Sequence, residues 1–498
     1  MPFPFHLRTF SWRKVLFLSL LSLMIVQCRE VTPPDKVAEI ETAGAVAYDT
    51  PLDRYVHAPD TAFRYSLVDT LPGEGFTTYI VRMVSQRWMT EAEVKDPVWW
   101  HWLTIVVPDN VQHEKGLLFI GGGSRTREQP EKTDEMAAQI ALASQSVVTA
   151  LHNVPNQPTE FVGDDYGPRK EDELIAYGWR KFLELGGTDD AAIWLARFPM
   201  TKAAVRAMDV VSELSESLAG KKIDEFVVAG GSKRGWTTWT AGAVDDRVVG
   251  IVPIVIDMLN LVPSFEHHWK AYGAWAPAVG NYVEEGIMDW MGTQEFEKLL
   301  EQTEPFSFRE RYDLPKLVLN ATGDQFFLPD SWQFYWNDLP GEKHLRYVPN
   351  SEHSMRETDA MMSLVAFYQD ILTETPRPEF DWSIEEGAIL IRTTEEHPPQ
   401  SITLWQAHNP DARDFRVEII GRAWTSTEVP LREDGTYRLE VNGQPEGYTA
   451  FYGELAFPNG SNQPLKLSTG VVVTPDTYPH QAYVPQVPSG ATVLGDDK

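Results

Sequence analysis

A single cysteine, Cys28, stands in 498 residues, which excludes any internal disulfide. In an oxidising compartment the fold would have to hold by packing alone. Basic charge is also scarce. The 43 Lys and Arg against 72 Asp and Glu leave a formal net charge of −29, a balance that repels nucleic acid and excludes it as a partner. The apolar run Val15–Val26 is too short to span a bilayer comfortably. The glycine run Gly121-Gly122-Gly123-Ser124 lacks the Lys-Ser/Thr end of a P-loop and is not a full dinucleotide fingerprint. His267 and His268 have no Cys, His or carboxylate set at ligand spacing around them, so neither a metal centre nor a cofactor is implied.

What is present reads as a globular protein. The hydrophobic fraction is 43% and aromatics reach 11%, values that argue against long disorder. Arg8, Arg13 and Lys14 precede the run Val15–Val26, the basic and apolar regions of an export signal. Cys28 falls just beyond it, where a bacterial lipoprotein is cleaved and lipidated, although Gln27 replaces the usual small residue. Two fates stay open: a periplasmic or cell-envelope lipoprotein anchored at Cys28, or plain secretion. The organisation expected is a signal peptide over 1–27, a tether over 28–50, a main domain over 51–374 and a C-terminal β-sandwich over 375–498.

Between about 75 and 350, short apolar runs alternate with helical stretches, which predicts βαβ units and a mostly parallel sheet. The runs are 103–107, 116–120, 146–150, 225–229, 249–253 and 316–320, and their continuity suits strands buried on both faces. A helix opens near Pro199 and closes at Gly220, with Ala207, Val211, Leu214 and Leu218 on one face. Residues 261–313 break the alternation with aromatics and charges and predict an inserted cap. Past 375 the runs 388–392, 415–420 and 437–441 are short and alternating and predict antiparallel strands.

Strand 226–229 runs into Gly230-Gly231-Ser232-Lys233-Arg234-Gly235 and then into a helical stretch, the setting of a nucleophile elbow. Gly230 supplies the small residue two before Ser232. Arg234 occupies the place of the usual second glycine, and Gly235 takes that duty one residue later. Ser is a poor nucleophile unless a His removes its proton and a carboxylate orients the His. Asp324 follows strand 316–320, and His353 follows strand 344–348, in the chain order Ser, acid, His that this fold uses. Asp257 also follows a strand and is a rival acid; His344 sits inside a strand and reads as structural. The oxyanion donors expected are the N–H of Lys233 and that of Gly122 or Gly123. Arg234 and Trp236, beside the nucleophile, are expected to meet substrate. Trp99-Trp100-His101-Trp102, placed directly before a strand, reads as sheet-edge packing rather than a cleft wall.

Several strings together resemble one known family: 99–102 leading to Pro108, Val154-Pro-Asn-Gln-Pro158, Arg197-Phe-Pro-Met-Thr-Lys202, Gly230–Trp236, Ile256-Asp257-Met-Leu-Asn260 and Ala321-Thr-Gly-Asp324. They are similar to the PhoPQ-activated pathogenicity-related proteins over most of the chain. The resemblance implies an α/β-hydrolase-like fold and export, and it gives no reaction. The expectation is an α/β-hydrolase fold with a mostly parallel sheet, a helical cap and a C-terminal β-sandwich. Its function is that of an exported serine hydrolase, peptidase or carbohydrate esterase, acting on a small-molecule or peptide substrate. The alternative is a binding or signalling protein on a hydrolase scaffold.

Overall fold

The computed structural model describes residues 49–441, 446–460 and 464–495. The expected leader, Cys28 and all of the tether before residue 49 lie outside the described residues. Helix α1 (Pro51–His57) opens the fold. Thr50 and Asp53 cap it reciprocally, the Asp53 carboxylate accepting the Thr50 N–H at 2.9 Å, and Pro51 fills the first turn, where no N–H is needed.

Nine strands then build the main sheet: β1 (Arg64–Gly73), β2 (Phe76–Arg87), β3 (Val98–Pro108), β4 (Lys115–Ile120), β5 (Val148–Leu151), β6 (Glu225–Gly231), β7 (Val248–Ile254), β8 (Lys316–Ala321) and β9 (Lys343–Val348). Their order is β1-β2-β3-β5-β4-β6-β7-β8-β9. Pairing is antiparallel from β1 through β3 to β5 and parallel from β5 onward. The tetrapeptide Trp99–Trp102 lies inside β3 rather than before it, and Trp99 and Trp102 are buried.

Side chains alternate across β6, and both faces are dry. Phe226 and Val228 enter one core, with Ala204, Ala207 and Met208 of α4 (Arg197–Ala219) and Trp239 of α5 (Lys233–Val244). Val227 and Ala229 enter the other, with Ile140 of α2 (Glu135–Ser144) and Leu364 and Phe367 of α9 (Ala360–Leu372). Helix α3 (Glu171–Glu184) lies between β5 and α4 in the chain. Helices α6 (Leu261–Tyr272), α7 (Gly280–Glu284) and α8 (Gln294–Thr303) fill the connection from β7 to β8.

Beyond α9 lie two antiparallel sheets. One joins β10 (Phe380–Glu385), β11 (Ala388–Thr393) and β14 (Thr436–Leu439). The other joins β13 (Thr425–Glu428), β12 (Ser401–Asn409), β15 (Tyr448–Phe457) and β16 (Leu465–Ser468), with β17 (Val472–Thr474) beside β15. Leu317 and Leu319 of β8 share a core with Ile389, Ile391, Phe451 and Leu467. The run 415–420, expected as a strand, is instead a loop and a short helix, Val417–Ile420. The Asp414 carboxylate captures the Arg416 N–H at 3.1 Å and the Arg416 guanidinium as well, a local turn that competes with a ladder.

Candidate active site

Strand register sets the site. Gly231 pairs with Ile254, Ile254 with Leu319, and Ala321 with Val348, so the residues just beyond these positions gather at the carboxyl ends of adjacent parallel strands. Ser232 is the first of them. It sits between β6 and α5 at φ 57° and ψ −125°, a left-handed conformation that costs a non-glycine residue free energy and marks functional turns. Its N–H donates to Ile254 O at 2.7 Å. The turn is closed by glycines. A Cβ on Gly230 would lie 2.7 Å from Arg234 O, and one on Gly235 would lie 3.0 Å from both Gly230 O and Ile254 O.

Asp324 and His353 occupy the loops after β8 and β9. The His353 Nδ1–H donates to the Asp324 carboxylate, at 2.9 Å to Oδ1 and 2.8 Å to Oδ2. Asp324 is held in turn by the Phe326 N–H at 2.8 Å, and the His353 N–H donates to Gln325 Oε1 at 3.0 Å. The imidazole lies 4.3 Å, centroid to centroid, from Phe326, which lines the same cavity as Ser232. Among the described residues the structure gives Ser232 Oγ no hydrogen bond, so no hydrogen bond joins the serine to the Asp324–His353 pair.

Asp257, the rival acid, does not meet His353. It is buried beneath the strand ends, where the Tyr335 and Tyr347 hydroxyls donate to it at 2.7 and 2.5 Å. Burial pushes its carboxyl up to about 8, only partly offset by those two hydroxyls. His344 lies in β9 against Glu342 at 2.8 Å. In α6, His267 bridges Asp330 and Tyr478, each at 2.8 Å, and His268 accepts the Ala276 N–H.

Ile120 pairs with Gly230, so Gly122 falls level with Ser232 across the strand gap. Gly121 spends its N–H on Leu151 O. The N–H groups of Gly122 and Gly123 donate to no acceptor among the described residues. Lys233 is the first residue of α5, whose N–H has no carbonyl a turn earlier to meet. Gly123 has φ 136°, and a Cβ there would strike Asn153 Oδ1 at 2.6 Å.

Arg234 was expected to meet substrate, but its guanidinium is spent on the protein. Nε donates to Val154 O, and Nη1 and Nη2 grip Glu171 at 2.8 and 2.7 Å. Lys233 reaches both Glu171, at 2.9 Å, and Asp172, at 3.0 Å. Burial raises the Glu171 carboxyl, and Arg234 with Lys233 outweighs that effect and holds it at about 2. Glu171 itself has φ 50°, fixed by its N–H to Gln157 Oε1 at 2.6 Å. Trp236 does line the cavity beside Ser232 and is otherwise buried, its Nε1–H donating to Thr303 O at 2.7 Å. The remaining wall includes Trp179, Arg197, Phe265, Tyr282 and Phe327. Glu171, Asp172, Arg197 and Tyr282 escaped sequence reasoning. Arg197 opens the segment Arg197–Lys202, which does not mark its role, and Glu171, Asp172 and Tyr282 carry no local signal.

Comparison with known proteins gives four matches. A search of curated proteins matches autocrine proliferation repressor protein A of Dictyostelium discoideum at 38% identity over 463 residues, 87% of this chain and 92% of the relative. Among solved structures, acetyl xylan esterase 1 from Thermoanaerobacterium sp. aligns at TM-score 0.43 and 13% identity, covering 64% of this chain and 92% of the other. A glucuronoyl esterase from Solibacter usitatus aligns at TM-score 0.38 and 14% identity, with coverages of 64% and 90%. The family model of the PhoPQ-activated pathogenicity-related proteins matches residues 52–416. That span holds the nine-stranded sheet and the loops of Ser232, Asp324 and His353, and the chain belongs to this family.

Proposed function

We propose that this chain is an exported serine hydrolase that cleaves an ester or amide through an acyl-enzyme on Ser232. The observation that carries the reading is the pairing of a left-handed Ser232 at a strand-to-helix turn with an Asp324–His353 contact two loops away. In the reaction, His353 Nε2 takes the Ser232 proton as Oγ attacks the carbonyl carbon, and Asp324 steadies the imidazolium. The oxyanion is met by the N–H of Lys233 and that of Gly122 or Gly123. The proton passes to the leaving alcohol or amine as its bond to carbon breaks. Water then attacks the acyl-enzyme, giving its proton to His353, and the acid departs as Oγ recovers that proton.

Fluorophosphonate labelling of the protein beside Ser232→Ala tests this, followed by a screen of acyl esters and aminoacyl amides. Labelling that disappears with Ser232→Ala supports the reading. Absence of labelling in both moves the weight to a binding protein on a hydrolase scaffold, a role favoured by the name of the Dictyostelium relative, a proliferation repressor. Export rests on the leader and Cys28, which also suit a lipid anchor. Loss of lipid labelling in Cys28→Ser tests the anchor, and unchanged labelling rules it out.

A further inference from the structure

Three charged side chains, Asp172, Arg197 and Lys233, line the cavity beside Ser232, and with Glu171 and Arg234 just behind them the charges do not balance. Glu171 and Asp172 are met by Lys233 and Arg234. The fifth, Arg197, is buried to 3% exposure at the start of α4 and lines the cavity. Its Nη1 donates to Lys233 O at 2.9 Å, its guanidinium lies 4.3 Å from the Trp236 ring, and it lies within hydrogen-bonding reach of the Tyr282 hydroxyl, which itself donates to Asp172 at 3.1 Å. Among the described residues no carboxylate comes within 4.0 Å of it, and its buried Nε–H has no acceptor. Asp172 acts on it only at a distance, through the intervening Tyr282 hydroxyl, and a buried cation with no anion in contact is disfavoured, since buried charges are otherwise paired directly.

The geometry points to Arg197 as the specificity residue of this site, binding a carboxylate carried on the acyl side of the substrate a few bonds from the carbonyl that Ser232 attacks. This rests on the hydrolase reading. The cavity is about 30 Å3, room for about two or three water-sized groups, which suits a short chain ending in a carboxylate. A guanidinium edge matches a carboxylate in plane, and the aromatic wall of Trp179, Trp236 and Phe265 keeps water from screening the pair.

The test compares 4-nitrophenyl hydrogen succinate with 4-nitrophenyl butanoate, which share a leaving group and differ chiefly in the terminal charge. The wild-type protein is expected to favour the succinate by about tenfold or more in kcat/KM. Arg197→Gln should abolish that preference mainly through KM, and Arg197→Lys should restore part of it. Because Arg197 is buried and its loss could impair folding, a second measurement uses the wild type alone. Sodium succinate should slow fluorophosphonate labelling of Ser232, and sodium chloride at equal ionic strength should not. Equal turnover of the two esters, or an equal fall for both in Arg197→Gln, overturns the assignment and leaves the hydrolase standing. No turnover of either ester and no labelling overturns the hydrolase reading, and this inference with it.

Discussion

Arg234 grips Glu171 with both terminal nitrogens, at 2.7 and 2.8 Å, directly behind the turn that carries Ser232. The same carboxylate receives Lys233, whose own N–H is an expected oxyanion donor, and so fixes both residues that follow the nucleophile. Glu171→Gln keeps the shape and removes the charge. Because Glu171 is partly exposed, the expected loss is about 1–2 kcal/mol in urea unfolding, below that for a fully buried pair. Fluorophosphonate labelling should slow in the folded variant; an unchanged rate would detach this clamp from the nucleophile.

Asp324 and Asp257 lie near each other and have different partners. Asp324→Asn disturbs the tautomer and orientation of His353 and should lower kcat by roughly a thousand- to ten-thousandfold. Asp257→Asn should leave kcat within a fewfold of wild type. Steady-state kinetics on one ester decides between them, and a reversed ranking would reassign the acid.

The glycines of the elbow make a steric prediction. Gly230→Ala places a methyl group 2.7 Å from Arg234 O, and backbone must move to admit it. The expected cost is about 1–3 kcal/mol, read as a lower urea midpoint at unchanged slope, together with slower labelling of Ser232.

Asp257 also gives stability a pH dependence of defined sign. Its folded-state carboxyl is raised to about 8, so the native state holds a proton that the unfolded chain releases near pH 4. That contribution favours the fold below the unfolded value and declines as pH rises towards about 8. Urea unfolding at pH 5 and pH 8 should therefore show Asp257→Asn gaining on wild type with rising pH. A constant difference would mean that Asp257 is already ionised in the native state.

The parallel half of the sheet was legible because β4 and β6 to β8 are largely apolar runs bounded by turns, which suits burial on both faces. Strand β1 was not, since its burial is slight and its sequence, Arg64-Tyr-Ser-Leu-Val-Asp-Thr-Leu-Pro-Gly73, lacks a clean period. The alternation Phe415, Val417, Ile419 suggested a strand, and the side-chain turn at Asp414 overrode it. At the site, Ser232, Asp324 and His353 could be named from chain order because each follows a strand. The Glu171 clamp and Arg197 could not, because their partners lie far along the chain: charges 62 and 63 positions away for Glu171, and a backbone carbonyl 36 positions away for Arg197. The choice between Asp324 and Asp257 likewise needed coordinates, since both follow strands.

The loops of Asp324 and His353 are tied to the end of the chain. Gly323 O accepts the Val417 N–H at 3.0 Å, Asn350 and Trp424 exchange two bonds of 2.9 Å, and the Tyr347 N–H donates to Ser468 Oγ. Among the described residues Ser232 has no such tie and stands on the sheet. In the order of synthesis, then, the nucleophile's turn can form while the acid and base still await strands made about a hundred residues later. If the proposed triad acts, its assembly would be among the last events in building the molecule. On the proposed mechanism, a chain still emerging from the ribosome, or cut short after His353, would carry Ser232, Asp324 and His353 without the strands that hold the last two in place.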